Sequence, residues 1–136
     1  MVNDFNRKVI EEFRANGGRV GGPFQGAPLL LLTTTGAKSG GTYTTPVMYL
    51  PDGERMVVFA SKGGAPANPA WFHNLVANPD ATVEVGHDSF RVRATVTSGE
   101  ERGRLFSRQA ELYPAFADYA QKTTREIPVV ALQPAV

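Results

Sequence analysis

The chain has no cysteine among its 136 residues. A disulfide framework, a zinc ribbon and thiol catalysis are excluded together, and the composition fits a reducing compartment. Net charge is nearly absent: 14 Lys and Arg stand against 13 Asp and Glu, leaving +1. The signs are interspersed, so there is no basic stripe to neutralise a row of phosphates, and nucleic acid is not an expected partner. Histidine is scarce too. His73 and His87 lack companion ligands at metal spacing, so no metal site is expected. No apolar run approaches the roughly 20 residues that a spanning helix needs. The first twenty residues carry Arg7, Lys8, Arg14 and Arg19 beside Asp4, Glu11 and Glu12, without the apolar core of a signal peptide. The cytoplasm is therefore the expected location. Two catalytic signatures are missing as well. Lys38 follows Ala37 where a Walker phosphate loop has Gly before Lys, and no G-x-S-x-G elbow occurs.

What is present describes one domain over 1–136. Fourteen Gly and ten Pro exceed the usual share and imply many short elements joined by specific turns. Residues 1–27 read as an amphipathic helix and a Gly-rich connector. Phe5, Val9, Ile10 and Phe13 recur at helical spacing until Asn16-Gly17-Gly18 stops the helix. Strands follow at Pro28–Thr35, Thr42–Leu50 and Arg55–Ala60, the last two joined by the turn Pro51-Asp52-Gly53-Glu54. Asn68 before Pro69 reads as the N-cap of a helix bearing Trp71, Phe72, Leu75 and Val76. Two strands, Thr82–Val85 and Phe90–Thr97, flank the turn 86–89. Ser98-x-x-Glu101 reads as a capping box opening a helix with Leu105 and Phe106, Pro114 opens another with Phe116 and Tyr119, and Ile127–Leu132 is a last strand. There is no strand-helix-strand rhythm. The pattern predicts a mainly β, α+β fold, a six-stranded antiparallel barrel or sandwich with peripheral helices.

Two loops carry chemistry. Thr33 to Gly41 is a strand end entering a Gly-flanked loop with one cation, Lys38, and several hydroxyls. Such a loop can turn successive backbone N–H groups inward as an anion nest, with Lys38 as point charge and Ser39 as donor. Ala60-Ser61-Lys62-Gly63-Gly64 follows a neighbouring strand and precedes the helix after Asn68. Its glycines admit a planar ligand, while Lys62 and the helix start offer positive potential. Either loop alone is equally an ordinary connector with a solvated lysine. Together, at the ends of adjacent strands, they predict one positively charged slot for an anionic ligand.

The segments LLLTTTGAKSG (30–40), Thr45-Pro46, ASKGGAPANPAWFHNLVANPDATVEVG (60–86), LYPAFADYAQKT (112–123) and IPVV (127–130) resemble the deazaflavin-dependent nitroreductase family, a branch of the flavin/deazaflavin oxidoreductases with a split β-barrel. The resemblance covers most of the chain from Leu30 onward. It implies binding of reduced 8-hydroxy-5-deazaflavin, coenzyme F-420, with phosphate and tail against Lys38, Ser39 and Gly40. It places Thr45, Pro46, Ala60, Lys62 and Gly63 along the ring and Trp71 at the wall. It assigns Met48, Tyr113 and Phe116 to the acceptor, and Tyr119 or Ser61 to proton delivery. Hydride transfer to an electron-poor carbon leaves charge that a nearby hydroxyl can neutralise. Members of that family often carry Arg where this chain has Ala37 and Tyr43, and Tyr where it has Phe116. Those departures bear on nitro-prodrug activation more than on coenzyme binding.

The expected function is hydride transfer from the reduced deazaflavin to a small-molecule acceptor such as a quinone, nitroaromatic or enone. The alternatives are a non-catalytic deazaflavin- or lipid-binding module of the same fold, and a flavin mononucleotide enzyme on a related barrel. The N-terminal helix either packs on the barrel or makes a weak membrane-surface contact, its basic residues being offset by acidic ones. The sequence leaves the oligomeric state open.

Overall fold

The computed structural model describes residues 4–21 and 28–135; part of the Gly-rich connector expected over 17–26 lies outside them. Six strands close a barrel: β1 (Leu29–Thr35), β2 (Thr42–Asp52), β3 (Arg55–Phe59), β4 (Asp80–Val85), β5 (Asp88–Val96) and β6 (Val129–Pro134), in the order β1-β2-β3-β6-β5-β4. Every neighbouring pair is antiparallel. Four helices lie around it: α1 (Asp4–Ala15), α2 (Ala70–Ala77), α3 (Gly99–Leu112) and α4 (Ala115–Lys122). The six-stranded antiparallel barrel with peripheral helices read from the sequence is the fold that forms.

Alternation along the strands makes two surfaces. Leu30, Leu32, Met56, Val58, Val83, Val92, Val130 and Leu132 fill the barrel, where α2 adds Trp71 and Leu75. The opposite face of β1 carries Leu29 and Leu31, which α1 covers with Val9, Ile10 and Phe13. The outward residues Leu50, Val57, Phe59 and Val129 pack with Leu105 of α3 and Phe116 of α4. The apolar face of α1 is thus packed on the barrel, and a bidentate pair from Arg14 to Glu84 of β4 (2.8 and 3.0 Å) pins its last turn.

Strand directions sort the connections onto two ends. The β1–β2 loop, the excursion 60–79 containing α2, and the excursion 97–128 containing α3 and α4 all leave one end. The two-residue turns at 53–54 and 86–87 occupy the other.

Several expected boundaries move, each for a local reason. β2 runs on to Asp52, which pairs with Arg55 in the ladder, so the hairpin turn is Gly53-Glu54 with Gly53 at φ +62. β4 opens at Asp80, opposite Arg93, and β5 at Asp88. β6 begins at Val129 and not at Ile127, because the Ile127 carbonyl accepts two bonds from the Arg102 guanidinium (2.8 and 3.2 Å) outside the ladder. Neither expected side-chain cap forms. Pro69, not Asn68, is the N-cap of α2, and Asn68 instead accepts from Arg125. Ser98 precedes α3 without a capping bond, and Glu101 turns outward to Arg55 (3.1 Å).

Candidate functional site

A cleft of about 740 Å³ opens at the end of the barrel that carries the long excursions, between the β1–β2 loop and α2. Its volume lies within the range of small-molecule sites, about 300–1,000 Å³. Lys38, Ser39 and Tyr43 line one side, Trp71, His73 and Asn74 the other, with Thr44 and Thr45 of β2 between them and Asn6 of α1 at the margin. Among the described residues no Asp or Glu lines it. The lining therefore favours an anion.

The β1–β2 loop is rigid for identifiable reasons. Gly36 N–H donates to the Gly41 carbonyl (2.7 Å), Gly40 N–H to the Gly36 carbonyl (3.1 Å) and Gly41 N–H to Ser39 Oγ (3.2 Å). Ala37 N–H donates to Asn74 Oδ1 (3.1 Å), while Asn74 Nδ2 donates to Thr34 Oγ1 (3.0 Å). Asn74 is buried, so α2 grips the loop through one carboxamide, and Asn78 adds a bond to the Thr35 carbonyl. Four of the six loop amides are engaged internally. Among the described residues this leaves the successive N–H groups of Lys38 and Ser39 for the expected anion nest. What faces a ligand is the exposed Lys38 ammonium together with the Ser39 and Tyr43 hydroxyls, which share a 2.9 Å hydrogen bond. Gly36 makes the turn possible, since a Cβ there would lie 2.7 Å from both Ser39 Oγ and the Tyr43 ring.

The second loop leaves the same end of the barrel, because β1 and β3 are both antiparallel to β2. Ala60 and Ser61 are buried and Lys62 is exposed, with its backbone at φ +46 in the left-handed region. Lys62 through Gly64 form a single 3-10 turn held by Gly64 N–H to the Ser61 carbonyl (2.9 Å). The structure brings Lys38, Ser39, Thr45 and Trp71 together around the cleft. Ala60, Ser61 and Lys62 are not among its lining residues, nor are Gly40 and Pro46.

The residues expected on the acceptor side lie elsewhere. Phe116 is buried against Phe59 (ring centroids 5.8 Å) and Tyr119 (5.2 Å), edge to face in both pairs. Tyr113, Tyr119 and Met48 are partly buried in the same cluster on the outer wall of the barrel. That cluster adjoins the second loop, since α4 packs against the turn 62–64. Phe116 is thus a core residue of the α4 face packed on the barrel.

Two organising residues escaped the sequence reading. Asn74 was foreshadowed by a polar residue inside the apolar stripe of Trp71 and Leu75. Arg125 had no such signal: it lies in the irregular segment 123–128, and its partners are some 60 residues away in sequence.

Comparison with known proteins fits this geometry. Residues 5–134 match the family described as F420H(2)-dependent quinone reductase. The chain belongs to this family. An F420H(2)-dependent quinone reductase of Mycobacterium tuberculosis (strain ATCC 25618 / H37Rv) is 41% identical over 124 residues, covering 88% of this chain and 83% of that protein. A solved structure of an F420-H2 dependent reductase superposes with a TM-score of 0.72 at 39% identity, covering 78% of this chain and 94% of the other. A second solved structure, described as a domain-swapped dimer, superposes with a TM-score of 0.74 at 36% identity, covering 93% of this chain and 96% of the other. As a member of the quinone reductase family the chain is an oxidoreductase that uses the reduced deazaflavin coenzyme and a small-molecule acceptor. The residues present suit such a coenzyme: a roomy cleft with a cation, paired hydroxyls, an indole wall and, among the described residues, no lining carboxylate.

Proposed function

We propose that this chain transfers a hydride from the reduced deazaflavin to a quinone, with the coenzyme's anionic part held at Lys38. The observation that carries the assignment to residues is the cleft, lined by no carboxylate among the described residues, with Lys38 beside the bonded pair Ser39 and Tyr43. The bound coenzyme supplies the hydride. The protein binds and orients it, excludes water and neutralises charge on the acceptor. Lys38 acts as a point charge toward phosphate or carboxylate, and Ser39 and Tyr43 offer hydroxyl donors. Gly40 and Thr45 complete that side, and Trp71 gives the ring an aromatic wall. On the other side, Ala60, Lys62 and Gly63, together with Pro46, are read as the ring's further contacts. Tyr119 and the buried Ser61 are the candidate proton donors, and Met48, Tyr113 and Phe116 the acceptor's surroundings.

The reading treats the chain as one domain acting in the cytoplasm, supported by a family match and a barrel that both extend to residue 134. No helix among the described residues is long and apolar enough to cross a membrane. Since Val9, Ile10 and Phe13 are packed, membrane-surface contact by α1 would fall to the exposed Phe5. The test is a fluorescence titration with the coenzyme, followed by menadione-dependent oxidation of its reduced form. Lys38→Ala is expected to weaken binding by about fivefold, as an exposed ion pair worth up to about 1 kcal/mol would, and to flatten its salt dependence. Binding without turnover across quinones, nitroaromatics and enones would leave a storage module; tighter binding of flavin mononucleotide would point to that flavin instead.

A further inference from the structure

Arg125 lies between α4 and β6, and its guanidinium is directed at one stretch of chain. Nε donates to the Ala65 carbonyl (2.9 Å) and Nη2 to the Ser61 carbonyl (2.8 Å). Nη1 donates to the Ala60 carbonyl (3.1 Å) and to Asn68 Oδ1 (2.7 Å). Four of its five N–H groups are thus satisfied by a single nine-residue segment. None of the four acceptors is a carboxylate, and burial pushes the guanidinium's pKa down. A cation held among neutral carbonyls is a costly way to fasten a loop, because its desolvation has no counter-charge to offset it. What the planar fork provides is shape: it fixes three carbonyls and one side chain in a single arrangement.

The same segment is held from its other side. Gly64, at φ +83, lies so close to α4 that a Cβ there would stand 2.9 Å from the Tyr119 carbonyl oxygen and from Lys122 Cβ. The loop bearing Ser61 and Lys62 is therefore clasped by one unit, α4 and the residues that follow it, which also carries Tyr119.

We propose that Arg125 is a positioning residue for the reaction: it holds the Ala60–Asn68 loop in the shape that receives the coenzyme and keeps Ser61 and Lys62 in register with Tyr119. The inference rests on the reading that this loop contacts the coenzyme. It does not depend on the cleft residues at Lys38.

The experiment compares the full chain with its Arg125→Lys, Arg125→Met and Asn68→Ala variants. It measures thermal unfolding, amide exchange over 60–68, affinity for the coenzyme, and steady-state kinetics with menadione. Both Arg125 variants are expected to exchange faster in that segment while the β1–β2 loop is unchanged. KM for the coenzyme is expected to rise about tenfold, with a smaller change in kcat. Asn68→Ala, which removes one bond of four, is expected to fall between them and wild type, and serves if the Arg125 variants do not fold. Lys62→Ala is expected to cost less in the Arg125→Met background than alone, because the loop is already displaced. Rescue by Lys would show that charge alone matters and would overturn the proposal. So would unchanged coenzyme affinity in variants whose loop exchanges faster, or unchanged exchange. If wild type binds no coenzyme, the functional reading fails and takes this role with it; that result is distinct from wild type and variants binding equally well, which removes Arg125 alone.

Discussion

Gln109 is fully buried on α3, yet neither atom of its carboxamide has a hydrogen-bond partner among the described residues. An unsatisfied buried amide costs about 1–3 kcal/mol, whereas an apolar replacement of similar shape removes that cost. Gln109→Leu is accordingly expected to stabilise the chain by about 1 kcal/mol, a rise in Tm of about 3–5 °C read by thermal unfolding. Asp52 is governed by charge instead. Its hydrogen bond to Arg55 holds its carboxyl below the ordinary 3.8, with Arg104 and Arg108 acting in the same direction. A depressed carboxyl contributes stability that is complete above the unfolded value and fades as pH falls through the lower, folded one. Denaturant midpoints measured from pH 5 down to pH 2 should therefore fall less steeply for Asp52→Asn than for wild type. At this scale the sequence was legible where a residue type has one use. Lys38 in a Gly-flanked turn pointed to a loop that does line the cleft, and the apolar stripe of α2 to Trp71 facing inward. Asn74, Arg125 and Gln109 were not legible in that way, because a polar side chain's partner depends on which distant backbone the fold brings to it.

Each helix is fixed by a contact that one substitution can test. On α1, Phe13 is 1% exposed and sits against Leu29 and Leu31. Phe13→Ala should cost about 3–5 kcal/mol, seen as a lower denaturant midpoint, with the loss concentrated in exchange of α1 and β1 amides. The 3-10 turn depends on Gly64. Gly64→Ala combines a left-handed backbone with a clash against the Tyr119 carbonyl and should cost at least about 1–2 kcal/mol while raising KM for the coenzyme. Helix and strand identity followed from periodicity, since Val9, Ile10 and Phe13 at helical spacing and the alternation of Phe90, Val92 and Ala94 each allow one solution. The ends did not follow. Ser98 and Asn68 have the side chains of caps, but Glu101 and Asn68 find stronger charged partners in Arg55 and Arg125. Tertiary partners overrode the local rule.

At the scale of the whole molecule, closure gives each of the six described strands a ladder partner on both sides, which shortens the template for edge-to-edge association. A barrel or a sandwich was foreseeable from six short strands, because a sheet with one apolar face must bury it, and the resemblance implied the barrel. The strand order, with β6 inserted between β3 and β5, was not foreseeable: nothing local in Val129–Leu132 says which strands it will separate. The cleft was foreseeable only in part: the loop of Lys38 lines it, but its other wall is α2 and not Ala60, Ser61 or Lys62, and the aromatic cluster of α4 faces the outer wall instead of the mouth. The asymmetry of the two ends has a practical side. Gly53, at the tip of the β2–β3 hairpin, has nothing within 4 Å of a side chain's first atom among the described residues, and lies at the opposite end from Lys38, Ser39 and the loop 60–68. A short flexible peptide spliced between Gly53 and Glu54 should leave turnover within about twofold of wild type, since surface hairpins tolerate such additions. The catalyst can thus be anchored by its base to a bead or an electrode with its mouth turned to the solution.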